Sequence, residues 1–234
     1  MPNPILILSA VPTSQAKLKN IFEGGDGSLM HLLAHPGSFR YAGWDLETLD
    51  QTKIVTGDYL EVRNADRKII QLYEDGSLLA KLLANQIFLG WGSPSGDSFE
   101  TEPILNSLPI IEVITNFVHL YKKLLPHFEV HPQEIQFSVQ FDNAELPGKK
   151  FLSLNPSPVN SLFPFDRDKY PAPSGSMTKE LVISSNSLDS EPNVVAYQIT
   201  EKVFTWFGVS TDKIPYTKTE GGHKEIDPDE FKKL

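Results

Sequence analysis

The class this sequence predicts is α+β: mostly antiparallel strands in meanders and hairpins, with two main amphipathic helices packed on them. Three observations predict it. Between Pro109 and Pro126, Ile110, Val113, Ile114, Phe117, Val118, Tyr121, Leu124 and Leu125 recur at steps of three and four, which places them on one face of a helix. From Ile135 to Phe141 apolar residues alternate with Gln136, Ser138 and Gln140, as in a strand with one buried and one wet side. Upstream, Asp75-Gly76 separates two apolar runs, a strong hairpin signal because a type I′ turn needs positive φ at both central residues.

In order along the chain, Ile5 to Val11 reads as a short buried strand ended by Pro12. Thr13 or Ser14 then suits the cap of a short helix through Phe22, with Leu18, Ile21 and Phe22 facing inward. Gly24, Gly25 and Gly27 mark a flexible turn; the Walker spacing and the GxGxxG pattern of phosphate loops are both missing. Ser28 to Ala34 reads as a short helix stopped by Pro36. Tyr59, Leu60 and Val62 lead into a polar turn at Asn64 to Asp66, and Ile69 to Tyr73 runs up to the Asp-Gly turn. Ser77 to Ala84 is the return strand, with a helix as the alternative that its Leu-rich composition leaves open, and Ile87 to Trp91 a further short strand that completes a meander.

The central helix has both ends written in. Pro109 suits a first helical position, Pro126 cannot continue the helix, and Lys122 and Lys123 complement the last carbonyls. Glu112, Thr115, Asn116 and His119 fall mostly on the polar side. Eight large apolar side chains at about 1.5–3 kcal/mol each contribute roughly 10–20 kcal/mol gross. Phe151 to Leu154 and Leu181 to Ser185 read as strands, separated by a long loop, Asn155 to Gly175, whose Phe163, Phe165 and Tyr170 are expected to pack on the body. Ser190 or Asn193 suits the cap of the second helix, with Val195, Ala196, Ile199, Val203, Trp206 and Phe207 as its stripe and Gly208 as its stop. The polar tail closes with a helical turn in which Asp227 caps and Pro228 takes the first position. The chain reads as one domain, 1–234, and the alternative division is two packed halves, 1–93 and 103–234, meeting at the Ser/Gly/Pro-rich segment 93–103.

Composition narrows the chemistry. The net charge of −9 has the wrong sign for a surface that neutralises phosphates throughout. With no cysteine, disulfides, thiolate catalysis and zinc-thiolate sites are excluded. The apolar run Ile5 to Leu8 has no basic residue before it, so no signal peptide is expected and the chain reads as cytoplasmic. No apolar stretch approaches the roughly 20 residues of a membrane span.

Candidate chemistry is sparse. His31 and His35 share the i, i+4 spacing of a helical metal pair, but Leu32 stands where a zincin carries Glu. His119, His127 and His131 flank the end of the central helix between prolines. Gly92 to Gly96 places proline where the nucleophile of G-x-S-x-G belongs. The carboxylate pairs Glu100/Glu102 and Asp227/Asp229 lie in polar segments. Trp91 and Trp206 read as core. Arg40, Tyr41 and Trp44 form the best candidate for an exposed binding contact, a loop with one cation and two aromatics. No catalytic residue, metal or cofactor is expected.

Several local phrases carry a resemblance: Arg40 with Gly43, Trp44, Asp45 and Leu46; Leu72, Tyr73, Asp75 and Gly76; Phe88 to Trp91; Val195 to Tyr197; Trp206 to Gly208; and Ile214 to Thr217. In this order they resemble the region found downstream of a Schlafen-type AlbA domain in bacterial ATP-binding and regulatory proteins. That resemblance implies an accessory module whose nucleotide or nucleic-acid chemistry belongs to a neighbouring domain, so none of that chemistry's residues is expected here. The expected function is a non-catalytic binding or scaffolding module with a protein partner or neighbouring domain, meeting nucleic acid only indirectly and no membrane. The competing reading is a hydrolase or nucleic-acid-processing enzyme whose site is assembled from dispersed residues such as His119.

Overall fold

The computed structural model describes residues 3–23, 28–40, 43–47, 52–56, 58–64, 67–90, 103–158 and 168–233. The fold is α+β and mostly antiparallel, with two longer helices on a large sheet. The first half supplies β1 (Ile5–Pro12), β2 (Lys17–Leu18), α1 (Leu29–Ala34), β3 (Thr52–Val55), β4 (Tyr59–Asn64), β5 (Lys68–Tyr73) and β6 (Leu78–Leu83). Then come β7 (Ile104–Asn106), α2 (Ser107–Leu124), β8 (Phe128–Val130), β9 (Glu134–Asp142), β10 (Glu145–Leu146), β11 (Lys150–Phe151), β12 (Ser153–Asn155) and β13 (Tyr170–Pro171). The chain closes through β14 (Met177–Ser184), α3 (Ser185–Ser190), α4 (Pro192–Trp206), the hairpin of β15 (Thr217–Glu220) and β16 (His223–Ile226), and α5 (Pro228–Lys232).

Seven strands form the main sheet in the order β14-β9-β1-β6-β5-β4-β3. Every neighbouring pair is antiparallel. The sheet therefore draws strands from both sides of segment 93–103. Register decides which side chains share a face: Leu6 pairs with Leu82 and Phe141, Leu8 with Ala80 and Val139, Ala10 with Leu78 and Phe137. All of these are buried. Both long helices lie on that face, since Phe137 meets Phe117 and Tyr121 of α2, and Phe141 stacks on Trp206 of α4 at 5.5 Å.

The central helix starts at Ser107, so Pro109 is its third residue, and Pro126 sits in a 3-10 turn after its end. Its burial departs from the expected amphipathic split. Glu112, Thr115 and Asn116 are buried along with the apolar face, and Pro36, Arg40 and Trp44 lie across the polar side. Lys123 donates to the Pro36 carbonyl, Asn116 Nδ2 to the Trp44 carbonyl, and Arg40 to Glu112. Thr115 Oγ1 returns its hydrogen to the Ile111 carbonyl.

Other expectations shift in detail. Residues 13–23 form no helix: Lys17 and Leu18 pair with β8, Leu18 N–H donates to Glu74, and Asn20 takes positive φ, which ends helical geometry. Phe22 points outward. The Asp-Gly hairpin uses three loop residues, not a type I′ pair; Gly76 N–H donates to the Tyr73 carbonyl and only Gly76 of the loop has positive φ. A Cβ there would overlap the buried Phe128 ring. Residues 85–90 are turns tied to Asn85, not a strand. Neither Ser190 nor Asn193 caps α4, where Glu191 holds the cap position and Pro192 the first turn, while Ser184 caps α3. Ser28, expected as the first residue of α1, is instead its cap; Asp227 caps α5 as expected, and Gly208 ends α4 with φ of 79°. The glycine turn 24–27, Trp91, segment 93–102 and the loop aromatics Phe163 and Phe165 lie outside the described residues.

Candidate functional site

Two of the three binding candidates are drawn together, against the body of the protein. Arg40 grips Glu112 with both sides of its guanidinium, Nε to Oε1 at 3.1 Å and Nη2 to Oε2 at 3.1 Å. Its guanidinium carbon lies 5.3 Å from the Trp44 ring centre. Trp44 Nε1–H donates to the Phe88 carbonyl at 2.9 Å, and Lys68 Nζ donates to the Asp45 carbonyl at 2.8 Å. Gly43 leaves room for this pair, because a Cβ there would overlap Glu112 Oε1 and push the carboxylate aside. Arg40 is 15% exposed and Glu112 fully buried, so this cluster fastens the loop to α2 with a desolvated, bidentate ion pair. Tyr41 lies outside the described residues.

The histidines divide. His119 sits partly buried between Asn193, whose Oδ1 is 2.9 Å from Nε2, and the Phe39 ring at 5.0 Å. Desolvation pulls its pKa below the ordinary histidine value, partly opposed by the Asn193 hydrogen bond. His35 Nδ1 lies 3.2 Å from Glu47 Oε1 at a half-exposed surface site, with the His31 ring 4.9 Å away. Among the described residues no three His, Asp or Glu side chains are grouped to hold a metal ion.

The less expected surface is the other side of the main sheet. Ile5, Ile7 and Ser9 of β1 alternate with the buried residues and are half-buried on the side away from α2 and α4. The register carries this face across neighbouring strands: Ile5 beside Leu83, Ile7 beside Lys81, Ser9 beside Leu79. Lys81 then faces Ile69, and Ile69 faces Arg63. Among the described residues no helix packs on this side. A polar chain crosses it, running from Tyr73 Oη to Gln71, from Gln71 Nε2 to Glu61 at 2.7 Å, and from Arg63 to Glu61. At one end, Arg63, Arg67, Ile69, Lys81, Leu83 and Ile87 line a groove of about 450 Å³. At the opposite end, Lys17, Asp58, Tyr73, Glu74 and Asp75 line a second, mostly acidic one of about 470 Å³.

Sequence reasoning missed this face. The available signal was Ile5-Leu6-Ile7-Leu8, apolar on both sides of a strand, in a chain with only two long helices to cover one sheet. No family model matches the chain, and no curated protein matches it. Among the described residues no helix is long and apolar enough to cross a membrane.

Proposed function

We propose that this chain is a binding module, with no reaction of its own, that engages a protein partner or neighbouring domain through the helix-free face of its main sheet. One observation carries the reading: Ile5, Ile7, Ile69, Leu79 and Leu83 are half-buried on one face of β1, β6 and β5, with Ile5 beside Leu83 and with Ile7 and Ile69 flanking Lys81. A solvated sheet face is ordinarily polar at these alternate positions, and a cluster of apolar side chains interspersed with a few charged ones is how docking surfaces present themselves. The resemblance to the region downstream of Schlafen-type AlbA domains supports the same reading, as an accessory module acting beside a nucleotide- or nucleic-acid-directed domain.

Photo-crosslinking in the producing cells tests it, with benzoylphenylalanine placed at Leu79 on this face or at the exposed Thr205 on α4. Discrete adducts are expected from position 79 and none from position 205. The same adducts from both positions, or none from position 79, would remove the basis for the assignment.

A further inference from the structure

We infer that the groove where Arg63, Arg67 and Lys81 meet Ile69, Leu83 and Ile87 takes a small amphiphilic anion, a carboxylate or phosphate carried on an apolar body. The inference rests on the helix-free side of the sheet being a binding face, and adds the chemistry of one occupant. Adjacent strands lie about 4.8 Å apart, so Arg63 and Lys81, one on each side of Ile69 in the register, rise from the sheet about 10 Å apart with an apolar floor between them. Arg67 stands beside Leu83, whose N–H donates to its carbonyl at 2.9 Å. The groove is thus a floor of aliphatic side chains walled by cations.

Charge makes the site selective. In a chain of net charge −9, Arg67 and Lys81, beside the Arg63–Glu61 pair, place positive charge at one groove and attract an anion. Among the described residues, the carboxylates on this part of the face are already engaged: Glu61 by Arg63 and Gln71, and Asp142, beyond Ile5, by the Gln140 amide. Holding Glu61 also fixes Arg63. Arg67 and Lys81 are exposed and make no ion pair among the described residues, so their charges are available to a ligand.

Size selects the class of occupant. About 450 Å³ falls within the roughly 300–1,000 Å³ of small-molecule sites. An apolar floor with a few placed charges matches such a site better than it matches a phosphate backbone, which needs a track of cations.

Titration of the full chain with decanoate, decyl phosphate, 1-decanol and inorganic phosphate tests the assignment, read by calorimetry and by the isoleucine δ-methyl NMR signals. Decanoate or decyl phosphate is expected to bind saturably and shift Ile69 and Ile87, leaving Ile135, buried on the opposite side, unmoved. Charge reversal in Arg67→Glu/Lys81→Glu touches only exposed side chains and is expected to weaken binding roughly tenfold or more, the loss of at least one charge-assisted contact. Equal affinity for 1-decanol would overturn the role of the cations, and equal affinity for inorganic phosphate would overturn the role of the apolar floor. Failure of both decyl anions to bind while Leu79 still yields crosslinked adducts would discard this ligand class and leave the binding face standing.

Discussion

Replacing Arg40 by alanine gives the sharpest test of how this structure is held together. The side chain makes three hydrogen bonds of 3.1–3.3 Å to Glu112, whose carboxylate has no exposed surface. Without Arg40 that carboxylate stays on α2, beneath the 36–47 segment, with no cation to balance it. Removing one partner of a buried pair costs about 3–5 kcal/mol. For a domain of this size, about 2–4 °C in Tm accompanies each kcal/mol, so a fall of roughly 6–20 °C is expected by differential scanning calorimetry. Because desolvating both charges offsets most of the attraction, the double variant Arg40→Met/Glu112→Met is expected to recover most of the loss. The double-mutant cycle isolates the coupling. A single-variant drop under about 3 °C, or a double variant as unstable as the single one, would refute the account of this pair as a desolvated clamp.

Two further outcomes follow from buried polar groups. The Tyr121 hydroxyl is buried with no hydrogen-bond partner among the described residues, and desolvation raises its pKa; Tyr121→Phe is therefore expected to stabilise by about 1 kcal/mol, measured by urea denaturation, where a loss of that size would contradict it. His119 has its folded pKa depressed. The unfolded state then binds more protons below about pH 6.5, so the stability due to neutral His119 is complete above that pH and declines as pH falls, by up to about 1.4 kcal/mol per unit. His119→Gln is expected to flatten the difference between urea midpoints at pH 7.5 and 5.5, and an unchanged slope would count against the assignment.

The parts of this fold that can be read from sequence are those whose signals are local. The period of α2, the alternation in β9, the serine before α1 and the Asp-Pro before α5 each act within a turn or a pleat. What was hidden depends on distant partners. Glu112 and Asn116 look like solvent-facing helix residues until the Arg40 to Trp44 segment, 72 residues earlier, is laid over them. Lys17 and Leu18 are strand residues only because β8 comes alongside. β15 and β16, Thr-Lys-Thr-Glu and His-Lys-Glu-Ile, carry almost no apolar alternation and are recognisable only through their pairing.

The same limit governs the site. A cation with aromatics at Arg40 and Trp44 is visible in the sequence, but its destination is not: Trp44 donates to a carbonyl 44 residues away. The cations of the groove sit on three different strand or turn segments, and only the register of β4, β5 and β6 makes them neighbours. Fold class was legible because burial pattern is local; the helix-free face was not, because which side of a sheet remains without a helix among the described residues is a property of the assembled layers.

The place of β1 has a consequence for how the molecule is made. Its two edges are filled by β6 and by β9, so its residues must wait for the later Glu134–Asp142 before their second row of amides and carbonyls is satisfied. A nascent chain that has emerged only through β6 presents a hydrophobic ribbon with one open border, a template for intermolecular pairing. Ribosome stalling or truncation ahead of residue 134 should therefore yield chaperone-dependent, aggregating fragments, while release beyond β14 lets the ribbon close within its own molecule.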